Sequence, residues 1–370
     1  MPERYLKRAV GTFGCPVATG GWLVGDISKS YDSIALEVGG MLGLQYLGRG
    51  RVAVREYPDP VPKDGEVLVR IEVAAICGSD LHALLSDSVL ESNTGHEAVG
   101  IIVDASKSRI WEGGERVGIY AVWGCGKCAW CQRGIYTFCD ERRGCGGLQA
   151  QYACVPEHIP LPLPDDVDFI AGVLLSGDGF GTPYHACKRM GIKAGDFVSV
   201  VGCGPVGLGC VLYLAHAGAK VIALDVRDER LNYAKALGAE FTINPSSVDA
   251  VGVVREISNG AMSDGVVEAS GRPEGFALAM QLVGKGGKLA CVGENREVTV
   301  NIGNLIRNDI TMFGSWYYHR GEYWEMVELY RRGLDVRRLV SHEFAIGEAQ
   351  TAFDEFISGK TAKVVLKLWE

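Results

Sequence analysis

The sequence predicts an α/β protein built from a mostly β domain and a doubly wound parallel-sheet domain. Its 370 residues, 47% of them hydrophobic, exceed the length that one hydrophobic core usually serves. Residues 41–160 are patterned as strands and turns, whereas residues 195–315 alternate between strand and helix patterns. Such alternation is typical of a parallel sheet covered by helices. We therefore expect two domains of different architecture.

The β-rich half is predicted from alternation of apolar and polar residues. In EVLVRIEV, residues 66–73, the side chains of Val67, Val69, Ile71 and Val73 fall on one side of an extended chain. Turn sequences containing glycine precede and follow this stretch, at residues 62–65 and 112–114. This pattern predicts a strand that buries one face.

The end of the chain is predicted to return to the β-rich domain. Amphipathic helices are expected over residues 323–330 and 349–357, followed by a strand over residues 362–369. The expected limits are residues 41–180 together with 317–370 for the β-rich domain, and residues 181–316 for the parallel-sheet domain. Residues 1–40 are glycine-rich and weakly patterned, which predicts an N-terminal extension.

A glycine-rich turn predicts a dinucleotide-binding site. A strand ending at residue 201 is followed by GCGPVG, residues 202–207, and by a helix expected over 206–217, and Asp225 closes the next strand. Gly202 allows the tight turn, Gly204 lets the backbone approach the pyrophosphate, and Gly207 permits close contact between helix and strand. Cofactor contacts are expected from Gly202, Gly204, Pro205, Val206, Gly207, Asp225 and Arg230.

Asp225 also predicts a preference between the two nicotinamide cofactors. Its carboxylate can accept hydrogen bonds from the ribose hydroxyls of NAD, whereas the 2′-phosphate of NADP would meet a like charge. NAD is therefore the expected cofactor. Arg227 and Arg230 lie close enough in sequence to weaken this preference, unless they are simply solvated residues at the start of the next helix.

Residues 197–219 are nearly uncharged and long enough to cross a bilayer. Valines dominate the first half, a Gly/Pro turn follows, and the second half has helical character. We interpret the segment as strand, turn and helix, and we expect no membrane partner.

Four cysteines lie close together in GCGKCAWCQRGIYTFC, residues 124–139. Intervals of two, two and seven residues let one loop place four thiolates around a tetrahedral ion at about 2.3 Å. A disulfide pair suits a short secreted chain better, and four free thiols would be open to oxidation. The spacing favours a structural zinc ion, which would have no open position for substrate, held by Cys125, Cys128, Cys131 and Cys139.

The amino-acid composition limits which compartments and which partners are expected. The formal net charge of −8 disfavours nucleic acid, whose binding relies on lysine and arginine against phosphate. Twelve cysteines in a long chain indicate a reducing compartment, and no apolar segment with a cleavage site is found in the first forty residues. We expect a cytoplasmic protein with a small-molecule substrate.

Three further motifs complete a recognisable pattern. They are CGSDLH at residues 77–82, GHE at 95–97 and SGDGF at 176–180. Together with the four cysteines and the glycine-rich turn, their order and spacing over residues 41–370 resemble the zinc-containing medium-chain alcohol dehydrogenase family. The resemblance implies a GroES-like fold for the β-rich domain, and a homodimer or homotetramer.

The resemblance also implies a second, catalytic zinc ion, for two per chain. Its ligands fall on Cys77, His96 and Asp178, and water or substrate takes the fourth place. The third family ligand varies: well-known members have Cys, sorbitol and threonine dehydrogenases commonly have Glu, and glutathione-independent formaldehyde dehydrogenases have Asp. Whether Asp178 or Glu97 completes the shell stays open at this point.

The resemblance assigns roles to the neighbouring residues as well. Glu97 corresponds to a carboxylate near the open face of the metal, and Asp80 is expected to orient His96. Ser79 and His82 fall where the family carries its proton relay. A backbone contact to the nicotinamide amide is implied at Gly293. At the position of Gly78, several family members have a basic residue.

The leading functional hypothesis is a zinc-dependent oxidation of a secondary alcohol, of the polyol, sugar or cyclitol class, with NAD. Alternatives within the family are an L-threonine-type or a formaldehyde/aldehyde-type zinc dehydrogenase, the latter suggested by Asp178 and by residues 146–150. A hypothesis of another class is a zinc-ribbon interaction module with a non-catalytic nucleotide fold.

Overall fold

A computed structural model describes residues 40–294 and 297–369, in which two large sheets dominate. The extension predicted over residues 1–40 lies outside the described residues except for Gly40. The strands are β1 Met41–Gly48, β2 Arg51–Tyr57, β3 Glu66–Ile76, β4 Glu97–Asp104, β5 Arg116–Ile119, β6 Val122–Trp123, β7 Arg143–Gly144, β8 Tyr152–Pro156, β9 Pro160–Pro162, β10 Phe197–Val201, β11 Lys220–Leu224, β12 Phe241–Ile243, β13 Ser263–Glu268, β14 Val283–Cys291, β15 Thr311–Gly314, β16 Val340–Ala345 and β17 Lys363–Lys367. The helices are α1 Asp80–Leu84, α2 Ala129–Gln132, α3 Phe169–Ser176, α4 Asp178–Met190, α5 Pro205–His216, α6 Asp228–Ala236, α7 Ala250–Ile257, α8 Pro273–Leu282, α9 Ile302–Asn308, α10 Tyr323–Arg331 and α11 Ala349–Ser358.

The first sheet has seven strands and is mostly antiparallel. Its path runs β16-β17-β3-β4-β5-β9, with β8 paired to β3. The alternation in β3 is explained by this packing, because Val67, Val69, Ile71 and Val73 are all buried. β17 pairs with β3, so residues 363–367 lie in the first sheet.

The second sheet has six parallel strands in the order β12-β11-β10-β13-β14-β15. Strand order therefore reverses beside β10, whose carboxyl end leads into the glycine-rich turn and α5. Such a reversal opens a crevice in which ligands of parallel sheets bind. The predicted α/β class, with one mostly β part and one doubly wound part, is confirmed. The domain limits stay a prediction.

Two helices connect the sheets. α3 packs on the first sheet and ends at Ser176, and α4 then runs alongside α5 of the second. Residues 197–219 form β10 and α5, as predicted. Within residues 40–294 and 297–369, no helix combines the length and the apolar character needed to cross a bilayer.

Candidate active site

Four potential metal ligands from three elements converge at one edge of the first sheet. One ligand atom each from Cys77, His96, Glu97 and Asp178 lies within 4.8 Å of the others. Cys77 follows β3 and His96 precedes β4. These strands are antiparallel neighbours, so the end of one meets the start of the other. Asp178 is the first residue of α4 and reaches the same point.

The distances within this cluster suit a shared metal ion. His96 Nε2 lies 3.1 Å from Asp178 Oδ2, and Cys77 Sγ lies 3.8 Å from the same oxygen. Donors bound tetrahedrally to zinc at about 2.0–2.3 Å are separated by distances of this order. A thiolate, an imidazole and a carboxylate are also ligands that zinc accepts. The residues therefore fit a zinc ion with one open position.

The electrostatics of the cluster show why a cation belongs there. Burial alone would lower the pKa of His96, but its hydrogen bonds to Asp178 and Asp80 outweigh burial and raise that pKa well above the usual value. Burial would raise the pKa of Asp178, but the hydrogen bond and charge of His96, the hydrogen bond from Thr182 and the charge of Lys363 together lower that pKa. A metal ion bound here would replace the contact between His96 Nε2 and Asp178 Oδ2.

Asp80 positions two of the candidate ligands. It is buried, and its carboxylate accepts hydrogen bonds from the Cys77 backbone N–H at 3.0 Å and the Thr94 hydroxyl at 2.9 Å. His96 Nδ1 lies 3.5 Å from Asp80 Oδ1 and 3.1 Å from the carbonyl oxygen of Thr94. The second ring nitrogen of His96 is therefore held by Thr94 and Asp80 together, rather than by Asp80 alone.

Glu97 is buried and both of its carboxylate oxygens are engaged. One oxygen forms an ion pair with Lys363 of β17, and the other accepts a hydrogen bond from the Gly179 N–H at 2.9 Å. Burial raises the pKa of Glu97, and the charge of Lys363 offsets part of that rise. Because Oδ2 of Asp178 faces Cys77 and His96, the geometry favours Asp178 over Glu97 as third ligand.

Sequence reasoning missed two residues beside the cluster. Thr182 donates a hydrogen bond to Asp178 Oδ1 at 2.7 Å, and its spacing of four residues on one helix was a usable signal. Lys363 is only 2% exposed and begins β17, in which three apolar residues follow it. A lysine beside such an apolar run signals a buried partner, although the sequence does not show which one.

Both residues of the expected proton relay are exposed, but only one of them contacts the cluster. The Ser79 hydroxyl is exposed and lies 3.5 Å from His96 Nε2, the ring nitrogen that faces Asp178. His82 is exposed on α1 and lies outside the ligand cluster. A side chain at Gly78 would meet open space. The structure brings Ser79 to the site and leaves His82 at the surface.

The four cysteines of the predicted structural site also converge. Their sulfur atoms lie within 4.8 Å of one another, and Cys128 Sγ lies 3.5 Å from Cys131 Sγ. Backbone N–H groups of Cys125 and Cys131 point at sulfur atoms, at 3.4 and 3.5 Å from Cys139 and Cys128. Such donors stabilise thiolates, so this loop fits a zinc ion with a closed shell of four sulfurs.

The glycine-rich turn has the geometry of a dinucleotide site. Gly202 has a φ of +92°, and a Cβ at Gly207 would lie 1.9 Å from the Gly202 carbonyl oxygen, so neither tolerates a side chain without strain. A Cβ at Gly204 would meet open space at the start of α5. Pro205 and Val206 form the first turn of that helix, whose N–H groups are available to a pyrophosphate.

Asp225 lies at the end of β11, beside this turn. Its carboxylate is 6% exposed and accepts hydrogen bonds from the backbone N–H groups of Cys203 at 2.7 Å and Arg227 at 2.9 Å. Each oxygen retains a lone pair for a ribose hydroxyl. Gly293, the predicted nicotinamide contact, follows β14 and its N–H donates to the carbonyl oxygen of Glu268 at 2.8 Å.

The two arginines near Asp225 are not simply solvated. Arg227 donates to the carbonyl oxygen of Ser358, and Arg230 Nε donates to that of Gly359 at 3.0 Å. Both acceptors lie at the end of α11, which packs on the first sheet. Arg230 also lies 3.7 Å from Asp225 Oδ2. These contacts join the two parts of the molecule at the expected adenosine end of the crevice.

Two family models and a set of curated relatives match this chain. A family model described as "Alcohol dehydrogenase GroES-like domain" matches residues 63–165, and one described as "Zinc-binding dehydrogenase" matches residues 205–332. An L-threonine 3-dehydrogenase of Chromobacterium violaceum is 30% identical over 324 residues, covering 83% of this chain and 94% of its own.

Solved structures agree with the sequence matches. An alcohol dehydrogenase of Thermus sp. ATN1 superposes with a TM-score of 0.82 at 29% identity, covering 88% of this chain and 99% of its own. An alcohol dehydrogenase of Escherichia coli CFT073, solved with NADH, has a TM-score of 0.79 at 25% identity, covering 89% of this chain and all of its own.

Proposed function

This chain belongs to the zinc-containing medium-chain alcohol dehydrogenase family, and we propose that it oxidises a secondary alcohol of the polyol, sugar or cyclitol class with NAD. The observation that carries the proposal is the convergence of Cys77, His96 and Asp178 at the first residue of α4, which packs along the cofactor-binding helix α5. The alcohol carbon gives a hydride to NAD, its hydroxyl loses a proton, and the products are a ketone, NADH and a proton.

In this reaction, the protein's own residues hold the metal ligands in place and transfer the proton. When bound, zinc supplies a Lewis acid for the substrate oxygen and NAD supplies the hydride acceptor. Asp80 and Thr94 hold His96, while Thr182 holds Asp178. The Ser79 hydroxyl is placed to accept the substrate proton, and the exposed His82 can pass a proton to water.

The named activity of the relatives supports a secondary alcohol as substrate. L-threonine, named in the relatives at 30–31% identity, carries its hydroxyl on a secondary carbon. This supports a secondary alcohol for the present chain, and L-threonine itself is the second candidate substrate.

A substrate screen tests the proposal. The zinc-replete protein is incubated with NAD and a panel of sorbitol, myo-inositol, L-threonine, small secondary and primary alcohols and formaldehyde, and NADH is followed by absorbance. Turnover of a polyol or cyclitol at least tenfold above primary alcohols supports the proposal. Turnover of L-threonine alone selects the second candidate, and turnover confined to formaldehyde or primary alcohols contradicts both.

We further propose that the chain assembles through β15. Among the described strands, β15 pairs only with β14 and so forms an edge of the six-stranded sheet. An unpaired edge can pair with its copy across a twofold axis. Met312 on this strand, and Ile302 and Ile306 on the preceding α9, are exposed hydrophobic residues that a partner would cover.

A further inference from the structure

A third group of potential metal ligands lies apart from the two predicted zinc sites. His185, His319 and Glu322 each offer one ligand atom within 4.8 Å of the others. His185 lies on α4, seven residues and about two helical turns beyond Asp178. His319 and Glu322 lie between β15 and α10. The group therefore joins α4 to the segment that follows the parallel sheet.

The carboxylate of Glu322 is the centre of this group. Its Oε2 lies 2.8 Å from His185 Nδ1 and accepts a hydrogen bond from the His319 backbone N–H at 2.9 Å. The centroids of the two imidazole rings are 4.5 Å apart. His185 and Glu322 are 4% and 7% exposed, so these two side chains are buried, while His319 is partly exposed.

One ring nitrogen in the group lacks a hydrogen-bond partner among the described residues. Nε2 of His319 is buried and has no hydrogen-bond partner among the described residues. Buried polar atoms in folded proteins are nearly always paired, so an unpaired ring nitrogen beside a second imidazole and a carboxylate requires an explanation. A metal ion would supply one.

We propose that His185, His319 and Glu322 bind a third divalent cation, Zn²⁺ or another transition ion that accepts imidazole and carboxylate ligands. Two imidazole nitrogens and one carboxylate oxygen form an accepted ligand set, with the fourth position left to water. Binding replaces the direct contact between His185 Nδ1 and Glu322 Oε2, and the ion then links all three side chains.

Lys188 is expected to lower the affinity of this site for a cation. Its Nζ lies 3.3 Å from Glu322 Oε1 and within hydrogen-bonding distance of both oxygens of Glu325, at 2.8 and 2.6 Å. This ammonium group competes with a cation for Glu322. The third ion therefore binds more weakly than an ion held by four thiolates, and removal of the competing charge strengthens it.

Metal titration of the full chain tests the proposal without reference to catalysis. Protein dialysed in metal-free buffer, so that it retains only tightly bound zinc, is titrated with Zn²⁺ by calorimetry and with Co²⁺ by absorption. The wild type is expected to bind one additional ion per chain. His319→Phe keeps the ring contact with Phe138 but removes both ring nitrogens, and it should weaken this binding at least tenfold.

Two more variants and one control complete the test. Glu322→Gln should weaken binding to a similar degree, and Lys188→Met should tighten it several-fold. His342→Phe, which alters a histidine on β16, serves as the control and should bind as the wild type does. No additional ion in the wild type, or equal affinity in the wild type and both ligand variants, overturns the proposal. The result is independent of whether the proposed substrate class is right.

Discussion

Glu97 and Lys363 form a buried ion pair although 266 residues separate them in the chain. Glu97 begins β4 and Lys363 begins β17, and both strands pair with β3. A carboxylate oxygen of Glu97 lies within 4.8 Å of the ligand atoms of Cys77, His96 and Asp178, so the pair adjoins the candidate metal site. Its two members support the candidate metal site and the sheet at the same time.

Replacing Lys363 by Met should destabilise the protein, because it leaves the Glu97 carboxylate buried without its partner. Loss of one member of a buried pair typically lowers the free energy of unfolding by about 3–5 kcal/mol. Urea denaturation measures the change. Glu97→Gln combined with Lys363→Met should recover part of the loss, and a single variant as stable as the wild type would refute this role.

Cys77→Ser and His96→Ala should each reduce bound zinc by one ion per chain and abolish turnover. NAD binding should survive, because the glycine-rich turn lies on the other sheet. Elemental analysis and cofactor titration read the two properties separately. Cys154→Ser, a change outside all three ligand groups, is the control. Near-normal turnover in both ligand variants would rule out the assignment.

Thr182→Val should lower zinc affinity or turnover by about 10–100-fold, the usual effect of removing a residue that orients a metal ligand. The reason is the lost hydrogen bond to Asp178 Oδ1. Thr182→Ser retains the hydroxyl and should restore most activity. Normal activity in Thr182→Val with a loss confined to Thr182→Ser would point to packing of the Thr182 methyl group instead.

Asp225→Ala should reduce the ratio of kcat/KM for NAD to that for NADP by about tenfold or more, since charged hydrogen bonds contribute about 1.5–3 kcal/mol each. The variant should also lose stability, because the N–H groups of Cys203 and Arg227 lose their acceptor. Steady-state kinetics with both cofactors measures the ratio. An unchanged ratio would remove Asp225 from cofactor selection.

Ile306→Glu together with Met312→Glu should dissociate an assembly built on β15, because each change places a charge in an apolar contact. Light scattering after size-exclusion chromatography measures the mass. Val61→Glu, at an exposed residue far from that edge in sequence, is the matched control. A wild type that is monomeric at micromolar concentration would contradict the proposed assembly.

The sequence predicted those parts of the site whose signals are local. The four cysteines, the glycine-rich turn and Asp225 each depend on short spacings, and strand alternation identified β3. Glu97–Lys363 and Arg227–Ser358 were not predicted, because contacts between distant segments depend on how the two sheets are placed. The hydrogen bond from Thr182 to Asp178 lies between these cases, since helical spacing indicates proximity but not which side chains bond.

The position of β17 between β16 and β3 has a consequence for how the protein is made. During synthesis, Cys77 and His96, at adjoining ends of β3 and β4, leave the ribosome 286 and 267 residues before Lys363. Until then the β3 edge lacks its neighbour and Glu97 lacks its counter-charge. The residues of the candidate metal site on β3 and β4 are therefore synthesised long before β17, and the arrangement around them is complete only after β17 has emerged.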